Sequence, residues 1–368
     1  MTIKMRQSKK MDDIPFSGIR KVFEAAGQLE KQGKDIINLG IGRPNFDTPA
    51  HIKEAAKKSL DEGNVFYTSN YGTEGLRSAV AEKLKRDNGL DYEMTDVIVT
   101  VGANQAVSIA MTALLDPGDE VLVPNPSWLH YFYCADLVGA KTVSYPLLEE
   151  NGFNVIPEDI EKLVTPKTKM VIVNSPNNPT GSILSKESLQ AIADIANKYD
   201  LIVLSDEIYE KLIYDDSVHY SIASLDGMKE RTVLIHGVSK SYSMTGWRIG
   251  FAISANKEFI SAMIRVLQYT VTCANSFAQD GAEAALRGSQ QCVEDMRLQF
   301  DRRRKLVYDR INKIEGLSCI APKGAFYCFV NIKKLGMTDQ EASDYYLNEA
   351  GVAMIPGSAF GEYGAGGQ

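Results

Sequence analysis

Five short runs constrain this chain most: Val97-Ile98-Val99-Thr100-Val101, Glu120-Val121-Leu122-Val123, Met170-Val171-Ile172-Val173, Leu201-Ile202-Val203-Leu204 and Thr232-Val233-Leu234-Ile235. A strand that is apolar at almost every position must be covered on both faces, which requires helices on both sides of a sheet. Helical spacing in the intervals, at Ala106 to Leu115, Leu129 to Val138 and Lys186 to Tyr199, supplies the crossovers. The expectation is therefore an α/β fold, with a mostly parallel central sheet flanked by helices. Further strands are expected at Thr142 to Tyr145 and Ile249 to Ile253, and further helices at Ile14 to Leu29, 50–61 and 75–87. One long charged helix is expected over 277–313, followed by an α+β region from Leu317 to Gln368 with a helix near Asp339 to Ala350.

The 368 residues are 44% hydrophobic and 24% charged, enough apolar surface for a large core over two lobes. A formal charge of −7 argues against nucleic acid or anionic membrane as the main partner and favours a small-molecule substrate. Met1 to Lys10 is basic but is followed by no apolar signal core, and the longest apolar stretch falls far short of the ~20 residues a membrane helix needs. A cytoplasmic protein is expected. Cys134, Cys273, Cys292, Cys319 and Cys328 show no C-x-x-C spacing and read as core thiols. His51, His130, His219 and His236 show no metal-binding spacing.

Chemistry-bearing residues gather where strands end, the edge on which α/β proteins bind ligands. After Val173 comes Asn174-Ser175-Pro176-Asn177-Asn178-Pro179-Thr180-Gly181, and after Leu204 comes Ser205-Asp206-Glu207-Ile208-Tyr209. After Ile235 comes Ser239-Lys240, with Arg248 in the same loop. A lysine partly removed from water becomes a nucleophile able to form a Schiff base, and a guanidinium is suited to a phosphate. Val101 leads through Gly102-Ala103-Asn104-Gln105 into a helix, a geometry that offers free N–H groups to an anion or is simply a βα turn. Gly40-Ile41-Gly42 reads equally as a plain turn or as a place where a ligand nears the backbone. Phe66 to Gly72 is an aromatic, hydroxyl-rich loop too polar for a core.

Three of these segments, Asn-Asn-Pro-Thr-Gly at 177–181, Asp-Glu-Ile-Tyr at 206–209 and Ser-Lys-x-x-x-Met-Thr-Gly-Trp-Arg-Ile-Gly at 239–250, occur in one order. In order and spacing the chain resembles the class I/II pyridoxal-phosphate-dependent aminotransferases of fold type I, over nearly its whole length. The resemblance implies a large domain at 46–280, and a smaller α+β domain from 1–45 and 281–368. It implies that Lys240 forms the Schiff base with pyridoxal 5'-phosphate and shuttles the α-proton, and that Asp206 pairs with the pyridine nitrogen. Asn178 and Tyr209 would face the cofactor's phenolic oxygen, while Arg248, Ser239, Ala103 and Asn104 would hold its phosphate. Trp128 would stack on the ring, where its other reading is a core tryptophan. Tyr67 would reach the phosphate of a neighbouring subunit, implying a homodimer with shared active sites. Gly42, with Asn178 and Trp128, would border an L-amino acid or 2-oxo acid substrate.

In the family pattern a strand beyond Phe360-Gly361 carries an arginine that clamps the substrate carboxylate, followed by a last helix, and the sequence stops at Gln368. The expectation is that this form turns over amino acids poorly relative to one extended by that strand; Arg43, in the glycine loop, is a candidate helper that nothing in the pattern requires. The leading reading is ping-pong transfer of an amino group from an L-amino acid to a 2-oxo acid. The alternatives are a pyridoxal-phosphate C–S β-lyase, or a weakly catalytic cofactor-binding sensor.

Overall fold

The structure, a computed structural model, describes residues 7–12, 14–16 and 18–365. Part of the basic Met1 to Lys10 segment, one position of the first expected helix and Gln368 lie outside the described residues. The chain runs α1 (Gly18–Lys31), β1 (Ile37–Asn38), α2 (Ala50–Asp61), α3 (Glu74–Asn88), β2 (Val97–Thr100), α4 (Gly102–Leu114), β3 (Glu120–Asn125), α5 (His130–Val138), β4 (Lys141–Pro146), α6 (Pro157–Glu161), β5 (Thr168–Asn174) and α7 (Lys186–Lys198). It continues through β6 (Ile202–Asp206), β7 (Thr232–Gly237), β8 (Gly250–Ile253), α8 (Lys257–Thr270), α9 (Ser276–Arg287), α10 (Gln291–Ile311), β9 (Ser318–Cys319), β10 (Val330–Asn331), α11 (Asp339–Ala350) and β11 (Val352–Ala353).

Side-chain parity along the strands sets the layers. In β5, Met170 and Ile172 join an apolar cluster with α4, α5 and α8, while Val171 and Val173 join one with α7. In β2, Ile98 packs on the first side, and Val97 and Val99 pack against α3 and α9 on the second. The sheet has seven strands in the order β2-β8-β7-β6-β5-β3-β4. β8 runs antiparallel to both its neighbours and the other pairings are parallel. Parallel pairing through crossovers brings the carboxyl ends of β5, β6 and β7 to one edge. There Asn174 is in register with Asp206, and Asp206 with Ile235. Two small sheets lie outside this layer, β1 parallel to β11 and β9 antiparallel to β10.

Several elements differ from the reading of the sequence. The expected single helix over 277–313 is two, because α9 ends at Arg287, with Gly288 as its C-cap, and α10 begins at Gln291. A side chain at Gly288 would come within 2.6 Å of the Ala284 carbonyl and 2.9 Å of His51 Nε2, so the chain turns where only glycine fits. α8 was not read as a helix, although Asn256 caps it through Glu258 N and Phe259 N and its apolar face is buried. The apolar run Ala325 to Val330 forms strand only at Val330–Asn331. Of the five thiols, Cys134 and Cys319 are buried, and Cys273, Cys292 and Cys328 are half-buried.

The strand-end rim is tied to α3 by a buried ion pair between Lys83 and Glu210, with Asn88 Nδ2 donating to the other Glu210 oxygen at 2.6 Å. Burial opposes the charged form of Glu210, but Lys83 and the nearby His236, His219 and Lys211 outweigh it and hold its pKa at about 2. Because the folded value lies below the ordinary 4.5, this contribution to stability is present above pH 4.5 and is lost as pH falls toward 2. Lys83→Met leaves a buried carboxylate without its cation and is expected to lower unfolding free energy by about 3–5 kcal/mol in urea titration at neutral pH. Lys83→Met with Glu210→Leu should recover much of that loss.

Candidate active site

Asp206 is the last residue of β6, fully enclosed under the rim. Strand alternation sends its neighbour Glu207 to the opposite side. There Glu207 accepts from Ser205 Oγ at 2.9 Å, Ser221 Oγ at 2.7 Å and His219 Nε2 at 3.0 Å, with His236 Nε2 3.5 Å away. Burial would raise the Glu207 pKa, but the two imidazoles override it and keep the group far below the carboxylate range. Asp206 is less compensated, the pull of His236 on it being smaller than that of its two hydrogen bonds. Its Oδ2 accepts from Tyr131 Oη at 2.7 Å and its Oδ1 from Ile208 N at 3.2 Å, and among the described residues no cation is ion-paired with it. Desolvation consequently dominates, and its pKa lies above the ordinary 3.8 despite both donors.

Lys240 lies in the loop after β7, across the rim from Asp206. Its ammonium donates to the Gly42 carbonyl at 2.7 Å and stands 5.6 Å from the ring centres of both Tyr209 and Phe326. Burial, with a smaller push from Arg248, brings its pKa down from 10.5 to about 8, against the pull of Asp206. Gly42, whose loop reads equally as a plain turn or as a place where a ligand nears the backbone, offers its carbonyl to Lys240 as an acceptor in the site. A side chain there would meet Tyr327 Oη at 2.9 Å. Tyr209 Oη is 2.5 Å from Tyr327 Oη, and burial pushes both phenols above their ordinary range.

The Asn-rich turn after β5 is held by its own side chains: Asn174 Oδ1 accepts from Asn178 N at 2.9 Å, and Asn177 Oδ1 from Thr180 N at 3.1 Å. That scaffold leaves Asn178 Oδ1 buried with no partner in the protein. At the far end of the site α4 begins with no side-chain cap, and its first N–H groups lack partners within the helix. Gly102 there has φ +76°, and a side chain on it would lie 2.2 Å from Arg248 Nη2. Arg248 itself sits in the left-handed region at φ 57° and donates from Nη1 to the Thr245 carbonyl at 3.0 Å. A guanidinium packed against the positive end of a helix repels it unless an anion lies between them. Ser239 is buried in the same turn, Ala103 is half-buried, and Asn104 is exposed, its carbonyl within 3.1 Å of His130 Nε2.

Trp128 stacks on His130 with centroids 4.5 Å apart and meets Tyr131 edge-on at 5.4 Å. Tyr67 is the one expected site residue that its own chain leaves apart: it is 87% exposed, beside Phe66 at 81%. Arg43 is exposed next to Gly42. Tyr131 and Tyr327 were missed in the sequence. Tyr131 follows Trp128 by three residues on α5, a position no motif marks, and Tyr327 was hidden in an apolar run that reads as core.

A ligand that satisfies this arrangement needs a cationic group for Asp206, an anion between Arg248 and α4, a hydrogen-bond donor such as a hydroxyl for Asn178 Oδ1, and an electrophilic carbon within reach of Lys240. Those demands, on the carboxyl edge of a sheet of this strand order, describe the fold type I pyridoxal-phosphate-dependent transferases, and the residues present fit that cofactor. Comparison with known proteins narrows the class. The family model "Aminotransferase class I and II" matches residues 34–366. An aspartate aminotransferase of Pyrococcus abyssi is 49% identical over 365 residues, 98% of this chain and 92% of the relative. Aromatic-amino-acid aminotransferase 2 of Thermococcus litoralis is 46% identical with the same coverage. The crystal structure of the aspartate aminotransferase of Rhizobium meliloti superposes with a TM-score of 0.94 at 37% identity, over 97% of this chain and 92% of that one. The chain belongs to the class I and II aminotransferases, enzymes that transfer amino groups with pyridoxal phosphate.

Two outcomes follow from the geometry. In cofactor-free protein the neutral fraction of Lys240 grows about tenfold per pH unit until its pKa near 8, then levels off. Labelling of Lys240 by a small amine-reactive ester, mapped by mass spectrometry, should follow that curve, whereas exposed lysines continue to rise beyond pH 10. Tyr131→Phe removes a donor to a charged acceptor, an effect of about 1.5–3 kcal/mol. Fluorescence titration of the cofactor-free variant should show roughly 10- to 100-fold weaker pyridoxal-phosphate binding with the fold intact.

Proposed function

We propose that the enzyme moves the amino group of an L-amino acid to a 2-oxo acid with Lys240 as the covalent anchor and proton carrier. The placing of Lys240 Nζ on the Gly42 carbonyl, within the electrostatic reach of a buried Asp206 carboxylate that has no ion pair among the described residues, supports this most directly. When bound, pyridoxal phosphate supplies an electrophilic carbon and a ring that withdraws electrons from the substrate α-carbon. Asp206 holds a proton on the ring nitrogen, and Tyr131 and Ile208 N keep that carboxylate ionised and aimed. Tyr209 Oη and the Asn178 amide donate to the ring's phenolic oxygen. Ser239, Arg248 and the backbone N–H groups of Ala103 and Asn104 receive the phosphate, and Trp128 covers one face of the ring. Gly42, Asn178 and Trp128 border the substrate. Lys240 Nζ, its pKa lowered by burial to about 8, carries the proton taken from the α-carbon.

We further propose a homodimer in which Tyr67 completes the site of the second copy. The nearly full exposure of Phe66 and Tyr67, together with Tyr269 at 85%, supports a covered surface there. The division into a large domain at 46–280 and a smaller one at 1–45 and 281–368 is part of the same proposal. Among the described residues no helix is long and apolar enough to cross a membrane, and a cytoplasmic location is proposed. The names of the Pyrococcus abyssi and Thermococcus litoralis relatives make aspartate and aromatic amino acids the donors to try first. Lys240→Ala should lower amino transfer from these donors to 2-oxoglutarate by roughly 100-fold or more. Sedimentation should give twice the chain mass. Wild-type turnover in Lys240→Ala, or a monomer with full activity, would refute the respective part.

A further inference from the structure

Nine residues apart, Cys319 at the end of β9 and Cys328 just before β10 bring their sulfurs to 3.0 Å. The strands pair antiparallel with Cys319 opposite Val330, so Cys328 is diagonal to Cys319 across the ladder, on the face where such neighbours touch. Both thiols are free, and closing them to a disulfide of about 2.05 Å requires an approach of only about 1 Å. Cys319 is positioned by two hydrogen bonds to Asn312, its N–H to Oδ1 at 3.0 Å and its carbonyl from Nδ2 at 3.2 Å. As residues, Cys319 is buried and Cys328 is half-buried.

The segment between the thiols forms one wall of the active site. Lys323 N and Gly324 N donate to the Gly181 carbonyl at 2.8 Å each, holding the Asn-rich turn, and Ala325 N donates to Leu212 O at 2.8 Å. Tyr327, next to Cys328, presents its hydroxyl to Tyr209. Ala325 sits at φ 56°, a strained conformation for a residue with a side chain, so this wall is held by its ends and contacts rather than by local preference.

We propose that Cys319 and Cys328 are an oxidisable pair, converted by a peroxide to a disulfide that closes residues 319–328 into a loop around the Tyr327 wall. The Cys328 thiolate attacks one peroxide oxygen, the O–O bond breaks, and a first water leaves with a sulfenic acid on Cys328. The Cys319 sulfur then attacks that sulfur, the S–O bond breaks, and a second water departs as the disulfide forms. Two electrons pass from the two thiols to one peroxide, which becomes two waters. The hydrogen bond shared by the two sulfurs lowers the Cys328 pKa, favouring it as the attacking thiolate.

The test uses the intact wild-type enzyme with its cofactor. It is exposed to hydrogen peroxide, its remaining thiols are alkylated, and it is digested without reductant. The expected product is a peptide pair joining Cys319 to Cys328, short by two hydrogen atoms and restored to two alkylated cysteines by prior reduction, whatever happens at Cys134, Cys273 and Cys292. After the same treatment Cys328→Ser should leave Cys319 fully alkylated. The proposal is overturned if both residues in the wild type remain alkylatable under peroxide. It is equally overturned if Cys328 proceeds to sulfinic acid while Cys319 stays a free thiol, or if Cys319 in Cys328→Ser is lost to a different disulfide.

Discussion

A carboxylate buried at a strand end with two hydrogen-bond donors and no cation is in a state that a protein alone does not favour. Desolvation disfavours its charge, and the donors from Tyr131 and Ile208 recover only part of that cost. Asp206 is the reference to which the other groups are set. Strand pairing brings the turns after β5 and β7 alongside it, and alternation sends Glu207 to the far side, where two imidazoles favour its ionised form. The same buried setting brings Lys240 toward neutrality, so nucleophile and counter-charge are products of one environment. On the proposed assignment, a bound cofactor would supply the missing positive charge, which would make cofactor binding and the ionisation of Asp206 a single linked equilibrium.

Much of this arrangement was legible in the sequence, because it depends on local signals. The Val/Ile/Leu runs dictated strands covered on both faces, and parity along β5 repeats that rule residue by residue. The positions of Lys240, Asp206, Asn178 and Arg248 after strands were readable because each follows an apolar run at a fixed short distance. What stayed hidden depends on contacts between distant segments. Tyr131 matters through a bond to a residue 75 positions away, and Tyr327 through one 118 positions away. The break between α9 and α10 was masked by a charged helical pattern on both sides of Gly288, where Ala284 and His51 leave no room for a side chain. Cys319 and Cys328 look unrelated in sequence and meet only because two short strands pair.

The site also shows how rigidity is distributed. Its floor is the central sheet, and the Lys83–Glu210 pair fixes the rim to α3. Its wall, residues 320–327, lies outside that sheet and is held by backbone bonds to Gly181 and Leu212 and by the Tyr209–Tyr327 contact.

The claim that Asp206 holds a proton on the cofactor's ring nitrogen is tested most directly by NMR of the enzyme loaded with pyridoxal phosphate isotope-labelled at that nitrogen. The wild type should show the chemical shift of a protonated pyridine across neutral pH. Asp206→Asn, with the fold and cofactor retained, should show that of the unprotonated ring. An identical ring-nitrogen signal in the two proteins would contradict the account.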